Sequence, residues 1–103
     1  MTSHPEYKKF FMTDHFLKRY MERIKMSKNV LTKKAKTNLR NEINALLRSS
    51  SVVPINDKDN NQYCLYEDIL FVSQLKNKKT SLALITCYRV SKSNKYKRLL
   101  AKI

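Results

Sequence analysis

Three side chains near the N-terminus have the types and the spacing to bind and cleave a phosphodiester. His15, Arg19 and Arg23 are four residues apart, which places them along one flank of a helix if this segment is helical. Guanidinium groups bind phosphate oxygens, and an imidazole that titrates near neutral pH can transfer a proton. This ridge is therefore a candidate binding face with a candidate acid or base. The alternative is that the arginines pair with Glu22 or other carboxylates, and that His15 is only a first-turn residue.

A second group of side chains suited to nucleic acid lies near the C-terminus. It combines aromatic rings with cations, and its members are Tyr88, Arg89, Lys92, Tyr96, Lys97 and Arg98. Rings among cations suit base stacking together with contacts to a nucleic-acid backbone. The alternative is structural: Tyr88 would belong to the core, Tyr96 would anchor the tail, and the cations would form a charged edge that discourages strand aggregation.

Charge is distributed unevenly along the chain, which has 103 residues and a formal net charge of +14. Residues 1–50 hold 12 Lys or Arg and 4 Asp or Glu, residues 51–75 hold 1 and 4, and residues 76–103 hold 9 and 0. Clustered cations attract polyanions and release counterions on contact, so nucleic acid is the leading partner. A codon bias toward Lys and Asn is an alternative source of part of this excess.

The composition excludes several kinds of site. The chain has no glycine, which the loops that hold nucleotide phosphates need. Cys64 and Cys87 belong to no metal-binding spacing, so we expect buried thiols in a reducing compartment. The acids between Asp57 and Asp68 lack the glycine and terminal glutamate of a calcium loop, so we predict no metal and no cofactor. No apolar run is long enough for a membrane span or a signal peptide, which predicts a cytoplasmic protein without a membrane partner.

The N-terminal half of the chain predicts two helices. Thr13 is a candidate N-cap, and apolar residues at helical spacing follow it to about Met26. Thr32 is a second candidate cap, and a similar apolar stripe runs from there to Arg48. The His15 ridge lies beside the apolar stripe of the first helix, so that helix would present it next to its buried face.

The C-terminal half predicts a sheet. Segments rich in β-branched and aromatic residues indicate strands at 62–66, 69–75 and 81–89, with a polar loop at 56–61 and a hairpin turn at 76–79. The tail would form a short helix capped by Ser93 or a further edge strand. We therefore predict an α+β fold in which two N-terminal helices pack on a small antiparallel sheet of three or four strands. We expect one domain over residues 1–103, with a mobile N-terminus at 1–12 and a basic C-terminal segment at 91–103.

The ridge of His15, Arg19 and Arg23 opens an amphipathic helix, and another helix and a strand meander follow. This order resembles the small RelE-related proteins of phages and plasmids, which include BrnT-type toxins and a phage endoribonuclease that cleaves early messages. The resemblance covers residues 12–90. It implies an RNase-like α+β domain with its helices on one face of the sheet, which cuts RNA without metal. In that case His15 would transfer protons with Arg89 and Tyr88 beside it.

These observations predict a basic protein that binds RNA or the ribosome and that acts as a RelE-like endoribonuclease or toxin. An acidic antitoxin-like protein would then be a further partner. The alternative is a non-catalytic regulator or inhibitor of phage or plasmid type that binds DNA or an acidic protein surface. Whether the chain cuts nucleic acid or only binds it is left open by the sequence.

Overall fold

Five strands form one mixed sheet with helices on both of its faces. The structure is a computed structural model that describes residues 9–28, 30–55, 61–76 and 81–102. The strands are β1 (Lys9–Phe11), β2 (Ser51–Val53), β3 (Gln62–Tyr66), β4 (Ile69–Lys76) and β5 (Ser81–Arg89). The helices are α1 (Asp14–Arg23), α2 (Lys33–Arg48) and α3 (Asn94–Ala101), and a short 3-10 turn at Val90–Lys92 joins β5 to α3.

Each of the three helices begins at a hydroxyl cap; the first two caps are as predicted, and the third belongs to the helical alternative for the tail. The caps are Thr13, Thr32 and Ser93, and each side-chain oxygen accepts a hydrogen bond from the backbone N–H three residues later. The carboxylate of Asp14, in the first turn of α1, interacts favourably with the positive end of the helix dipole. The apolar stripes of α1 and α2 are buried as expected, with Phe16, Leu17 and Tyr20 on α1 and Leu39, Ile43 and Leu47 on α2.

The sheet is larger than the sequence predicts. Its strand order is β1-β5-β4-β3-β2, with β1 parallel to β5 and all other neighbours antiparallel. The three predicted strands are confirmed as β3, β4 and β5, and the helix and sheet content confirms an α+β fold. The predicted count of three or four antiparallel strands is wrong because β1 and β2 are present. Each of these strands has three residues, which is too short to show a period.

The helices are also not all N-terminal. The tail forms α3, which is the helical alternative capped by Ser93. Residues 9–11 of the expected mobile N-terminus form β1, whereas residues 1–8 lie outside the described part of the chain. Most of the predicted polar loop and hairpin turn, at 56–60 and 77–79, also lies outside it.

A β-bulge interrupts the pairing of β4 with β5. Val72 pairs with Thr86, and the next residue, Ser73, pairs with Leu84. Ile85 is therefore the extra residue on β5, and its side chain is 40% exposed.

The bulge decides which face of the sheet each side chain of β5 takes. Without it, strict alternation would place Leu82, Leu84 and Tyr88 on one face. The extra residue shifts the alternation by one, so Cys87 joins Leu82 and Leu84 under α1 and α2. Tyr88 packs in the second core, on the side of α3.

Apolar side chains fill both sides of the sheet. The first core lies between the sheet and the helices α1 and α2, and the second lies between the opposite face and α3, where it contains Val53, Tyr63, Leu70, Val72 and Tyr96. Cys64 and Cys87 are buried free thiols, as predicted. Burial raises the pKa of Cys64 to about 11 and that of Cys87 to about 12, so both thiols stay protonated and unreactive. No helix within the described ranges is long and apolar enough to cross a membrane.

Polar contacts show that α2 runs parallel to α1. Near their N-terminal ends, Lys36 Nζ lies 2.9 Å from Asp14 Oδ2. Further along, the Tyr20 hydroxyl donates to Glu42 at 3.2 Å, and Lys25 Nζ donates to the same carboxylate at 3.1 Å. The connection between the two helices must therefore run back along the length of α1.

This return connection begins at a left-handed residue, Met26, with φ of 56°. The backbone N–H of Ser27 donates to the carbonyl of Met21 at 2.9 Å, which closes a seven-residue turn that contains Met26. Glycine is usual at the left-handed position, because a Cβ there costs about 1 kcal/mol. Because the chain has no glycine, a residue with a Cβ occupies this position, and that residue is Met26.

We predict that Met26→Gly raises the free energy of unfolding by about 0.5–1 kcal/mol, because it removes the Cβ strain and loses little packing. The Met26 side chain is 67% exposed, so its removal leaves no buried cavity. Urea denaturation measures the change. Met26→Ala is the control, since it keeps the Cβ and should not raise the free energy of unfolding. An equal increase in both variants would contradict the inference that the Cβ at this position is strained.

Candidate nucleic-acid interface

The outer edge of β5 is open beyond its first residues, and Arg23 covers it. β1 pairs only with residues 81–83, so no described strand pairs with this edge from Thr86 onward. Arg23 Nη1 donates to Thr86 Oγ1 at 2.6 Å and to the Cys87 carbonyl at 3.2 Å. Its guanidinium carbon lies 4.7 Å from the centre of the Tyr88 ring. We call Arg23, Thr86, Cys87 and Tyr88 the β5 edge cluster.

A row of aromatic rings connects this cluster to α3. The ring centres of Tyr88 and Tyr96 are 5.0 Å apart, and those of Tyr96 and Tyr63 are 6.2 Å apart. Tyr96 is only 7% exposed, and Lys95 Nζ lies 5.3 Å from its ring centre. Tyr96 therefore anchors α3 in the second core, and little of its ring surface is free for a base. Tyr88 is half-buried, and its ring contacts both Arg23 and Tyr96.

Arg89 points to the other face of the sheet, toward α1. Its Nη2 donates to the carbonyl of Ile24 at 3.1 Å, and its Nη1 lies 3.8 Å from Asp68 Oδ2. The carbonyls at the end of a helix carry partial negative charge, so this position suits a guanidinium. Arg89 therefore ties the end of β5 to the end of α1.

Asp68 fixes the start of the basic C-terminal segment. Its carboxylate accepts hydrogen bonds from the Ser91 backbone N–H at 2.9 Å and from the Ser91 hydroxyl at 2.5 Å, and its carbonyl accepts one from the N–H of Val90 at 2.8 Å. The Ser91 hydroxyl is the main cause that lowers the pKa of Asp68, and the charges of Arg89 and Lys97 add to it. Sequence analysis gives no indication of this role, because nothing local links Asp68 to Ser91.

Exposed cations cover the outside of α3 and the turn before it. We call this the α3 basic surface; it consists of Lys92, Lys95, Lys97, Arg98 and Lys102. No carboxylate of the described residues forms an ion pair with any of them, and α3 contains no acidic residue. Lys95 and Lys102 were not predicted as site residues. Lys102 is seven residues from Lys95 and four from Arg98, a spacing that could have indicated that the three share one side of a helix.

The His15 ridge does not form one site with Arg89. Arg19 pairs with Glu22 at 3.3 Å, which is the alternative that the sequence left open for it. His15 is exposed in the first turn of α1, nine residues before Ile24, whose carbonyl holds Arg89. At 1.5 Å per residue this separation is roughly 13 Å along the helix. Tyr88 and Arg89 lie at the opposite end of α1 from His15, so the described geometry supports binding rather than a shared catalytic centre.

Metal chemistry has no support in the geometry of the described residues. No group of three or more His, Cys, Asp or Glu side chains among them could hold a metal ion. The chemistry that the arrangement offers is electrostatic binding of anions by guanidinium and ammonium groups.

We predict that Arg23→Ala lowers the free energy of unfolding by about 1.5–3 kcal/mol, because it removes charged hydrogen bonds that satisfy the open edge of β5. Arg19→Ala is the matched control on the same helix. Its exposed pair with Glu22 should contribute less than about 0.5 kcal/mol. Urea denaturation of both variants measures the difference, and equal losses would show that the β5 edge does not need Arg23.

The lowered pKa of Asp68 predicts an acid-sensitive fold. Its folded pKa lies below the ordinary value of 3.8, so its contribution is complete above that pH and is lost as the pH falls through the folded value. The stability of the wild type should therefore decrease more steeply than that of Asp68→Asn as the pH falls below about 4. Urea denaturation across this range measures both slopes. Parallel slopes would contradict the role of Asp68. The variant Asp14→Asn measures how much of the acid sensitivity comes from Asp14, whose pKa is also lowered.

Comparisons with known proteins do not assign the chain to a family. No family model matches it, and no curated protein matches it. Among solved structures it is similar to the solution structure of the conserved hypothetical protein HP0892 from Helicobacter pylori, with 18% sequence identity and a TM-score of 0.44. The match covers 81% of this chain and 94% of that one. This likeness carries no inference about function.

Proposed function

We propose that the protein binds RNA through the α3 basic surface and the neighbouring β5 edge cluster. The observation that carries this proposal is the set of five exposed cations on the turn and α3 that pair with no described carboxylate. A polyanion can neutralise all of them at once and release its counterions. Lys92, Lys97 and Arg98 keep the nucleic-acid-binding role predicted for them.

On the opposite side of the sheet, some of the cations are paired with carboxylates. There Asp14 pairs with Lys36 and Arg40, and Glu42 pairs with Lys25. These carboxylates offset part of the positive charge of α1 and α2. In a protein with a net charge of +14, the cations of α3 therefore keep more of their positive potential than the cations of these pairs.

RNA is favoured over duplex DNA by two features. The half-buried Tyr88 and the Arg23 guanidinium over its ring combine an aromatic residue with a cation at the edge of β5, a combination that suits single-stranded RNA better than a stacked duplex. The order of the first two helices and the antiparallel strands supports a RelE-like arrangement, which would direct the protein to RNA or the ribosome. The position of α3 on the second face of the sheet departs from that arrangement, because the resemblance implies helices on one face only.

The proposal is limited to binding. Metal-free cleavage of RNA needs a base and phosphate ligands within hydrogen-bond reach of the same phosphodiester. The exposed His15 lies roughly 13 Å along α1 from the residue that holds Arg89. A catalytic role for His15 with Arg89 and Tyr88 would need a substrate that spans the length of α1.

The test is the salt dependence of binding to a fluorescein-labelled single-stranded RNA, followed by fluorescence anisotropy. The logarithm of the binding constant should fall linearly with the logarithm of the salt concentration. The double variant Lys97→Ser and Arg98→Ser should reduce the slope by about two, because each lost phosphate contact removes about one.

The matched control replaces two exposed lysines on α2, Lys33→Ser and Lys34→Ser, which removes the same charge from the other side of the sheet. This control should leave the slope nearly unchanged. Equal losses in both double variants would show that only net charge matters. Tighter binding to duplex DNA of the same sequence would favour the DNA-binding regulator, and cleavage of the RNA that His15→Ala abolishes would overturn the restriction to binding.

A further inference from the structure

We propose that a groove beneath the return connection from α1 to α2 binds an acidic protein segment that carries an aliphatic side chain. The groove lies against the outer side of α1, whereas the α3 basic surface lies on the opposite face of the sheet. The inference goes beyond RNA binding and does not depend on it.

The groove exists because α1 and α2 run in the same direction. The connection has to travel back along α1, and it leaves a cavity of about 550 Å³ between itself and the helix. Met21 of α1 and Leu31 and Val30 of the connection provide the apolar part of the lining. Met21 and Leu31 also pack against the first core, so this part of the groove rests on the folded body.

Aliphatic surface at the groove is left open to solvent. Val30 lines the cavity and is 94% exposed, which is unusual for a β-branched apolar residue in a folded chain. Met26, at the start of the same connection, is 67% exposed. Exposed apolar side chains beside a concave, partly polar site are typical of protein interfaces.

The charge around the groove selects an acidic occupant. Of the two carboxylates in the lining, Asp14 is paired with Lys36 and Glu22 is paired with Arg19. Lys18 and Lys28 also line the groove, and neither forms an ion pair with a described carboxylate. The lining therefore offers two uncompensated ammonium groups around an aliphatic floor.

These features favour a protein segment over nucleic acid. None of the described residues that line the groove is aromatic, so it offers no ring on which a base could stack. Val30 projects almost fully from the surface, and a small ligand held inside the cavity would leave it uncovered. An extended or helical segment can place an aliphatic side chain in the groove, cover Val30, and bring carboxylates to Lys18 and Lys28.

The test uses three fluorescein-labelled peptides of twelve residues and fluorescence anisotropy. The first alternates glutamate with leucine, the second replaces every leucine with serine, and the third replaces every glutamate with glutamine. We expect the first to bind at least about tenfold more tightly than either of the others, because the groove offers both cations and aliphatic surface. Absent binding of the first peptide, or equal binding of the first two, would overturn the proposal.

Two single variants locate the site. Val30→Ser and Lys28→Ser should each weaken the first peptide about fivefold or more, and both residues are exposed, so the fold should persist. Lys34→Ser is the matched control, since Lys34 is exposed on α2 and does not line the groove. Equal effects of Lys28→Ser and Lys34→Ser would overturn the assignment to the groove.

The labelled RNA separates this site from the proposed RNA surface. Val30→Ser should leave RNA binding unchanged, and Lys97→Ser with Arg98→Ser should leave peptide binding nearly unchanged. Loss of RNA binding in the α3 variant with retained peptide binding would support both sites independently. If RNA displaced the peptide completely when RNA occupied only a small fraction of the protein, the proposal of a separate peptide site would be overturned.

Discussion

The β-bulge at Ile85 is the constraint on which the arrangement of the C-terminal half depends. By adding one residue to β5, it lets Cys87 join Leu82 and Leu84 in the first core and turns Tyr88 toward α3. Arg89 then emerges on the side of α1 and reaches the carbonyl of Ile24. A regular strand would exchange these positions, which would put an aromatic ring under α1 and a guanidinium under α3. The bulge therefore decides how β5 connects the two layers of helices.

Two polar contacts complete the connection that the bulge begins. Arg23 passes around the open edge of β5, satisfies Thr86 and the carbonyl of Cys87, and covers the ring of Tyr88. Asp68, in the turn between β3 and β4, accepts hydrogen bonds from Ser91 and so fixes the direction in which the chain leaves β5 toward α3. An unpaired strand edge and a mobile basic tail would each invite non-specific association. These contacts instead give the cations of α3 a fixed orientation on one side of the protein.

Much of the fold can be predicted from the sequence because it depends on local chemistry. Thr13, Thr32 and Ser93 cap their helices because a hydroxyl two or three residues before a free backbone N–H can satisfy it without help from the rest of the chain. The strands β3, β4 and β5 are long enough for their content of β-branched and aromatic residues to identify them as strands. The short strands β1 and β2 are not, and their pairing depends on partners far away in the chain. For the candidate site, residue types identified the basic C-terminal segment, but they did not separate Tyr96 as an anchor from the exposed cations around it.

The sequence by itself determined the α+β composition, the helix caps, the buried thiols and the concentration of positive charge at the two ends. The tertiary structure decided that the cations of α1 and α2 and those of α3 lie on opposite faces of one sheet, and that His15 is far from Arg89. The physical reason is that caps, periodicity and charge depend on neighbours within a few residues. The face that a side chain occupies and the carboxylate that it meets depend on strand register and on contacts between residues more than twenty positions apart.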